Sequence, residues 1–232
     1  MADAPLTVIS GAAGGIGRAL AEGFRAAGYA VTGVDREAQG WGAPDFRYEA
    51  LDLTDTKAVA AFGAGLTRLD VLVNAAGIIR RAAEFEIETF EQVIDVNLTG
   101  TMRLATACRP ALASSGGAVI NIASMLSFFG GGLVPAYSAS KGGIVTLTKS
   151  LAIAWAKDNI RVNAIAPGWI ATPLTDALQK DEARSSAILD RTPMGRWGTP
   201  ADLIGPALFL ASDAARFVTG AVLPVDGGYA SM

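Results

Sequence analysis

Leu6-Thr7-Val8-Ile9-Ser10-Gly11-Ala12-Ala13-Gly14-Gly15-Ile16-Gly17-Arg18-Ala19-Leu20 is the stretch on which the fold of this chain turns. An apolar, β-branched run leads into a glycine-rich turn, and the turn leads directly into an amphipathic helix. Glycine lets a backbone bend sharply and approach a pyrophosphate, whose charge is favoured by unsatisfied N–H groups at a helix start. The spacing of Gly11, Gly15 and Gly17 departs from the commonest G-x-G-x-x-G fingerprint, and a glycine turn alone also fits a plain β–α connection. Eighteen residues after Gly17, Asp35 ends the second apolar run. A carboxylate there can accept hydrogen bonds from the adenosine ribose and repels a 2′-phosphate. Ala12 and Ala13 add no cation, which favours NAD over NADP, although Arg36 could pair with a phosphate if Asp35 swung away.

Outward from this unit, short apolar runs alternate with Ala-rich helical stretches. The pattern predicts strands over 6–10, 30–34, 46–51, 71–74, 118–122, 161–165 and 221–225, and helices over 16–27, 55–65, 88–113, 137–157, 173–190 and 200–210. Residues 36–45 hold Gly40, Gly42 and Pro44 and read as a loop where a crossover helix would otherwise stand. The expected fold is α/β: a Rossmann-type, doubly wound, seven-stranded parallel sheet with helices on both faces. No linker or repeat divides the 232 residues, so one domain over 1–232 is expected, with a substrate-loop segment at about 171–199.

Composition narrows the chemistry. The chain has no histidine and one cysteine, Cys108, which removes Ser-His-Asp triads, Cys-His dyads and His-liganded or multi-Cys metal sites. No metal is expected. The net charge of −3 gives no footprint for nucleic acid or an anionic membrane. Met1-Ala2-Asp3-Ala4-Pro5 lacks a basic leader, and apolar runs such as 203–211 are too short to span a bilayer, so a cytoplasmic protein acting on a small molecule is expected.

Acid/base work then falls to Tyr, Lys, Asp or Glu. In Tyr137-Ser138-Ala139-Ser140-Lys141 the four-residue spacing sets phenol and ammonium on one helix face, and a neighbouring cation lowers a tyrosine pKa. Ser124 stands just past the fifth strand, at the carboxyl edge where open α/β sheets bind ligands. Asn97 lies inside a helical stretch, where asparagine is mildly unfavourable and wants a reason.

Ser10-Gly11-x-x-x-Gly15-Ile16-Gly17, Asn74-Ala75-Ala76-Gly77, Asn97, Ser124, Tyr137-x-x-x-Lys141 and Pro167-Gly168 occur in the order and approximate spacing of the short-chain dehydrogenase/reductase family, which the chain resembles over nearly its whole length. The resemblance implies that Tyr137 is the general acid/base and that Ser124 holds the substrate oxygen. It implies that Lys141 lowers the tyrosine pKa and binds the nicotinamide ribose, and that Asn97 holds a relay water. It further implies that Gly11, Gly15, Ile16 and Gly17 line the pyrophosphate, Asp35 the adenosine ribose, Asp52 and Leu53 the adenine, and Asn74 and Gly77 the adenosine side. Pro167 and Gly168 would start the nicotinamide pocket wall, with Ile170 and Thr172 at the carboxamide. Such enzymes are usually tetrameric, and the Ala-rich stretch 146–156 suits close helix packing. A homotetramer is therefore expected.

For the substrate, Arg80 and Arg81 on one loop and Arg184, Arg191 and Arg196 on another are expected to converge on the pocket mouth, where arginine recognises carboxylates. Within the family, the segments around Arg80, around Ser124-Met125 and around Arg191 and Arg196 resemble the dehydrogenases of deoxy-keto-gluconates. That implies oxidation of a secondary alcohol on a deoxy sugar acid, with Arg80, Met125, Arg191 and Arg196 at the substrate. The alternatives are a dihydrodiol-acid dehydrogenase of the same family and a catalytically silent dinucleotide-binding protein.

Overall fold

Val8 and Ile9 adjoin in sequence and are both fully buried, yet they serve different cores. Side chains alternate across a strand, so a strand buried on both faces must read as a continuous apolar run. On one face Val8, Leu72, Val119 and Val162 pack with Leu104, Leu151 and Trp155. On the other, Ile9, Val73, Ile120 and Ile165 pack with Leu20, Phe24 and Leu203. Cys108 sits in the first layer with no exposure, and burial pushes its thiol up to about 12.

The structure is a computed structural model describing residues 4–37 and 46–232. Its sheet comprises β1 (Leu6–Ser10), β2 (Ala30–Asp35), β3 (Arg47–Ala50), β4 (Val71–Asn74), β5 (Ala118–Ile122), β6 (Arg161–Pro167) and β7 (Val222–Val225), all parallel, in spatial order 3-2-1-4-5-6-7. The order reverses between β1 and β4, which opens a crevice at the carboxyl ends of those strands. Beyond Glu37, the loop expected over 36–45 lies outside the described residues.

The helices are α1 (Gly15–Ala26), α2 (Thr56–Ala64), α3 (Ile87–Ile94), α4 (Gly100–Ser115), α5 (Pro135–Trp155), α6 (Asp176–Gln179), α7 (Glu182–Asp190) and α8 (Ile204–Ala211). Two expectations need correction. The predicted helix over 88–113 is interrupted by a π-helical turn, Asp95–Thr99, and such turns recur at functional sites. The predicted helix over 173–190 is three pieces: a 3₁₀ turn Pro173–Thr175, then α6, then α7. Asp181 breaks it, because its carboxylate accepts from the Arg184 N–H and starts a new helix as an N-cap. Among the described residues, no helix is long and apolar enough to cross a membrane.

Candidate active site

Gly11 has φ +70°, and a Cβ there would lie 2.7 Å from the Ala76 backbone; a Cβ on Gly17 would strike the Gly11 carbonyl. The turn therefore packs tighter than any side chain allows. Helix α1 starts behind Gly14 with no side-chain cap, so its first-turn N–H groups, those of Ile16 and Gly17 included, have no side chain to satisfy them, as an anion-binding helix start requires. The Asp35 carboxylate is clamped against this turn, accepting from Ala13 N at 3.1 Å and Arg36 N at 2.8 Å. Asp52 accepts from Thr54 N and the Thr54 hydroxyl, at 2.8 and 2.7 Å. Those bonds, more than the Arg36 and Arg103 charges, hold its carboxyl below the usual range. Thr172 folds over Gly15, where a Cβ would come within 3.3 Å of it, and lines an open cavity of about 420 Å³ with Ala171, Pro173, Asp176 and Gln179. A glycine cradle, an uncapped helix start and a fixed carboxylate together fit a dinucleotide.

Other expected contacts lie differently. Asn74 pairs with Asn121 across the β4–β5 register, and its Nδ2 donates to Asn121 Oδ1 at 2.9 Å, so its amide nitrogen is used in locking the sheet. The Leu53 side chain is in the core, with its carbonyl taken by Arg103 Nη1 at 3.0 Å. The Ile170 side chain is also in the core, and its carbonyl accepts from Thr175 Oγ1 at 2.7 Å. Gly168 N donates to Val225 O at 3.0 Å, continuing the β6–β7 edge that Pro167 ends. Gly77 lies beside Asn97 and Lys141: a Cβ on it would be 3.4 Å from Asn97 Oδ1 and 3.7 Å from Lys141 Nζ. It belongs to the centre of the site and not to its adenosine end.

That centre is built on α5. Pro135 at the helix start fixes the first turn, and Tyr137 and Lys141 follow one turn apart. Ser124, past the end of β5, caps the 3₁₀ turn Met125–Ser127, and its hydroxyl lies near enough to the Tyr137 phenol to lower that group's pKa. Lys141 is 4% exposed; its Nζ donates to the Ile122 carbonyl at 2.6 Å and lies 5.7 Å from the Tyr137 ring centroid. Burial pushes the phenol above its ordinary value of 10, the Ser124 hydroxyl pulls it down and the Glu84 charge pushes it up. Burial also lowers Lys141 to about 8. The ammonium, expected to depress the tyrosine, sits over the ring and bonds to a carbonyl, and desolvation is the largest influence on the phenol.

Asn97 occupies the π turn, fully buried. Its Oδ1 accepts from Ile78 N at 2.8 Å, and its Nδ2 donates to Ile78 O at 2.9 Å and Ser140 Oγ at 3.1 Å. Ser140 Oγ in turn donates to the Tyr137 carbonyl at 2.7 Å. The Asn97 carbonyl accepts from Thr101 Oγ1 at 2.8 Å. The side chain is therefore a strut between the loop after β4 and α5, where a water-holding role was expected.

At the rim the expected convergence of arginines breaks up. Arg196 makes a bidentate pair with Asp202 at 2.8 and 2.9 Å, and Arg184 pairs with Asp181 at 3.3 Å. Arg80 and Arg81 are exposed. Arg191 is different. Its guanidinium carbon lies 4.8 Å from the Phe129 ring centroid and 4.4 Å from that of Tyr229, and its Nη1 donates to the Tyr229 hydroxyl at 3.3 Å. Met125 is 4% exposed and packs with Ile144 and Ala166 because the 3₁₀ turn sends it inward, so it is core and not a substrate contact.

Sequence reasoning missed Glu84, 1% exposed in the 3₁₀ turn Ala83–Phe85, whose Oε2 accepts from Tyr137 N at 2.8 Å. It also missed Ser140, Phe129 and Tyr229. Only the helical spacing of Ser140 from Tyr137 could have pointed to any of these.

The fold and site are those of a dinucleotide-linked oxidoreductase, and the comparisons agree: the chain belongs to the short-chain dehydrogenase/reductase family. A family model described as enoyl-(acyl carrier protein) reductase matches residues 11–230. The chain is 41% identical over 243 residues to 2-dehydro-3-deoxy-D-gluconate 5-dehydrogenase of Escherichia coli (strain K12), covering 97% of this chain and 94% of that one. A putative NAD(P) dependent gluconate 5-dehydrogenase from Beutenbergia cavernae, solved with bound NADP at low occupancy, superposes with TM-score 0.91 at 43% identity, over 98% of this chain and 97% of that one. Gluconate 5-dehydrogenase from Burkholderia cenocepacia, in complex with NADP and tartrate, gives TM-score 0.93 at 36% identity, over 99% and 96%.

Proposed function

We propose that the protein interconverts a secondary alcohol and a ketone on a deoxy (keto) sugar acid, drawing on NAD(H), with Tyr137 moving the proton. The observation carrying this is the Tyr137 ring 5.7 Å from the buried Lys141 ammonium, one helical turn away on α5, beside Ser124 at the carboxyl edge of the sheet. When bound, the dinucleotide supplies or takes up the hydride. Ser124 holds the substrate oxygen against the phenol. Tyr137, kept protonated by burial, donates its proton to that oxygen in reduction; in oxidation its phenolate form takes the proton from the alcohol. Lys141 holds the nicotinamide ribose. Gly11, Gly15, Ile16 and Gly17 take the pyrophosphate, Asp35 the adenosine ribose, Asp52 the adenine, and Thr172 and the Ile170 backbone the carboxamide.

The sugar-acid class is supported by the 2-dehydro-3-deoxy-D-gluconate 5-dehydrogenase relative and by Arg191, which pairs with no carboxylate among the described residues and is held in place by two rings. Arg191 is the carboxylate anchor, with exposed Arg80 second and Arg196 already spent on Asp202. NAD is favoured because the Asp35 carboxylate, held against the glycine turn, would repel a 2′-phosphate. The two solved relatives hold NADP, which makes Arg36 the residue to watch. The assembly is a homotetramer through the central helices, supported by Ile153, 81% exposed on α5.

The test is turnover of 2-dehydro-3-deoxy-D-gluconate and of a neutral analogue, with NAD and with NADP. The reading expects the acid and NAD to be preferred. A hydrogen bond to a charged group is worth about 1.5–3 kcal/mol, so Arg191→Met should lose about 10–150-fold in kcat/KM for the acid only. Equal loss for both substrates removes the anchor, and a preference for NADP gives Arg36 the dominant role.

A further inference from the structure

We infer that Glu84 is a positioning residue for the proton-transfer step, a single buried carboxylate that ties the loop after β4 to the first turn of α5 and so fixes Tyr137. The inference rests on the reading of Tyr137 as the acid/base group. Glu84 is 1% exposed, and buried carboxylates are rare unless paired. No arginine or lysine pairs with it among the described residues. Instead Oε1 accepts from Arg80 N at 2.8 Å and Oε2 from Tyr137 N at 2.8 Å, so both oxygens accept and neither donates. Tyr137 is the third residue of α5, and a carboxylate bonded to a first-turn N–H is favoured by the helix dipole.

The surrounding backbone is shaped to deliver this side chain. Ala82, a non-glycine residue, sits at φ +66°, and its N–H donates to the Leu133 carbonyl at 2.8 Å. The loop after β4 is thus tied twice to the chain entering α5, once by backbone to Leu133 and once by Glu84 to Tyr137. Asn97 makes a third tie, running from Ile78 through Ser140 to the Tyr137 carbonyl. Glu84 holds the N–H of Tyr137 while Asn97 and Ser140 hold its carbonyl, so both ends of that residue's backbone are pinned to the loop carrying Arg80.

Glu84 also carries a negative charge whose field, from its bond to the Tyr137 N–H, opposes ionisation of the phenol. The ionisable groups around Tyr137 are Lys141 on its own helix and Glu84 on the loop after β4, with the Ser124 hydroxyl after β5. Removing the charge while keeping the shape makes phenolate easier to form, because a like charge opposes ionisation. A residue that only packs has no such effect.

The experiment measures oxidation of 2-dehydro-3-deoxy-D-gluconate by NAD across pH for wild type, Glu84→Gln, Glu84→Asp and Tyr137→Phe, with dinucleotide Kd from tryptophan quenching. Glu84→Gln keeps the size but sets an amide N–H against one of the two donors. It should lose about 10–100-fold in kcat, as small misplacements of reacting groups do, with Kd within about twofold of wild type. The rising limb of its pH profile should move to lower pH by up to about one unit. An unchanged kcat, or a lower kcat with the limb unmoved, overturns the proposal. If Glu84→Gln does not fold, Glu84→Asp decides: a reduced kcat with the wild-type limb supports it, and wild-type kcat overturns it. Failure of both variants to fold assigns Glu84 to stability alone and also overturns it. Tyr137→Phe separates the two readings, since full activity there removes the acid/base assignment itself.

Discussion

Burial moves Tyr137 and Lys141 in opposite directions, raising the acid and lowering the base, because each loses solvation of its charged form. The phenol therefore stays protonated across neutral pH, while the ammonium begins to lose its charge at about 8. Ketone reduction should be flat below that value and fall above it. Replacing Lys141 by Arg, which stays charged, should remove the fall, at some loss of rate from altered fit. Measuring kcat/KM for reduction against pH for both proteins checks this, and a wild-type profile still flat at pH 9.5 contradicts it. Tyr137→Phe should lower kcat by about 10²–10⁴ with dinucleotide Kd unchanged, read from steady-state rates and binding titration. Ser124, Tyr137 and Lys141 were legible because a motif encodes their spacing. Glu84 was not, because its role depends on a loop 53 residues away folding back onto a helix start. The Asn74 pairing was hidden for a similar reason: its partner, Asn121, is set by sheet register.

At the scale of elements, the strands were legible almost to the residue, since a two-faced burial pattern leaves no polar ambiguity along Val8-Ile9 or Val71-Leu72-Val73. The segment after β6 was less so. Its breaks are set by single side chains, Asp181 capping α7 and Thr172 and Thr199 capping short turns, and a periodicity argument averages over these. Inside the sheet, polarity is handled by a chain of amides and hydroxyls: Asn74 to Asn121 at 2.9 Å, Asn121 to Thr148 at 2.9 Å, and Thr148 to the Ile144 carbonyl at 2.7 Å. That chain joins β4, β5 and α5. Asn121→Ala leaves the buried Asn74 donor without its partner, so unfolding in urea should show a loss of about 2 kcal/mol with an unchanged m-value. A variant as stable as wild type would mean that water or repacking satisfies the gap.

For the whole molecule, the composition is 51% hydrophobic, and the fold still leaves large apolar side chains outside: Ile153 at 81%, Met102 at 39% and Phe209 at 43% exposed. Ile153 and Met102 lie on α5 and α4, so Ile153→Lys should dissociate the proposed tetramer, read as a fall in solution mass by light scattering. An unchanged mass would place the contact elsewhere. The lone thiol has a different use. Cys108 is fully enclosed between α4 and the sheet and is held protonated, so a thiol reagent can reach it only when that layer opens. Labelling then becomes an intrinsic clock for opening, with no second cysteine to confuse it. Any molecule that binds only the closed form slows that clock, by about 100-fold at a concentration 100 times its Kd. NAD and NADP can thus be ranked on the unmodified protein with no substrate present and no turnover, by which one better delays the capture of a single sulfur.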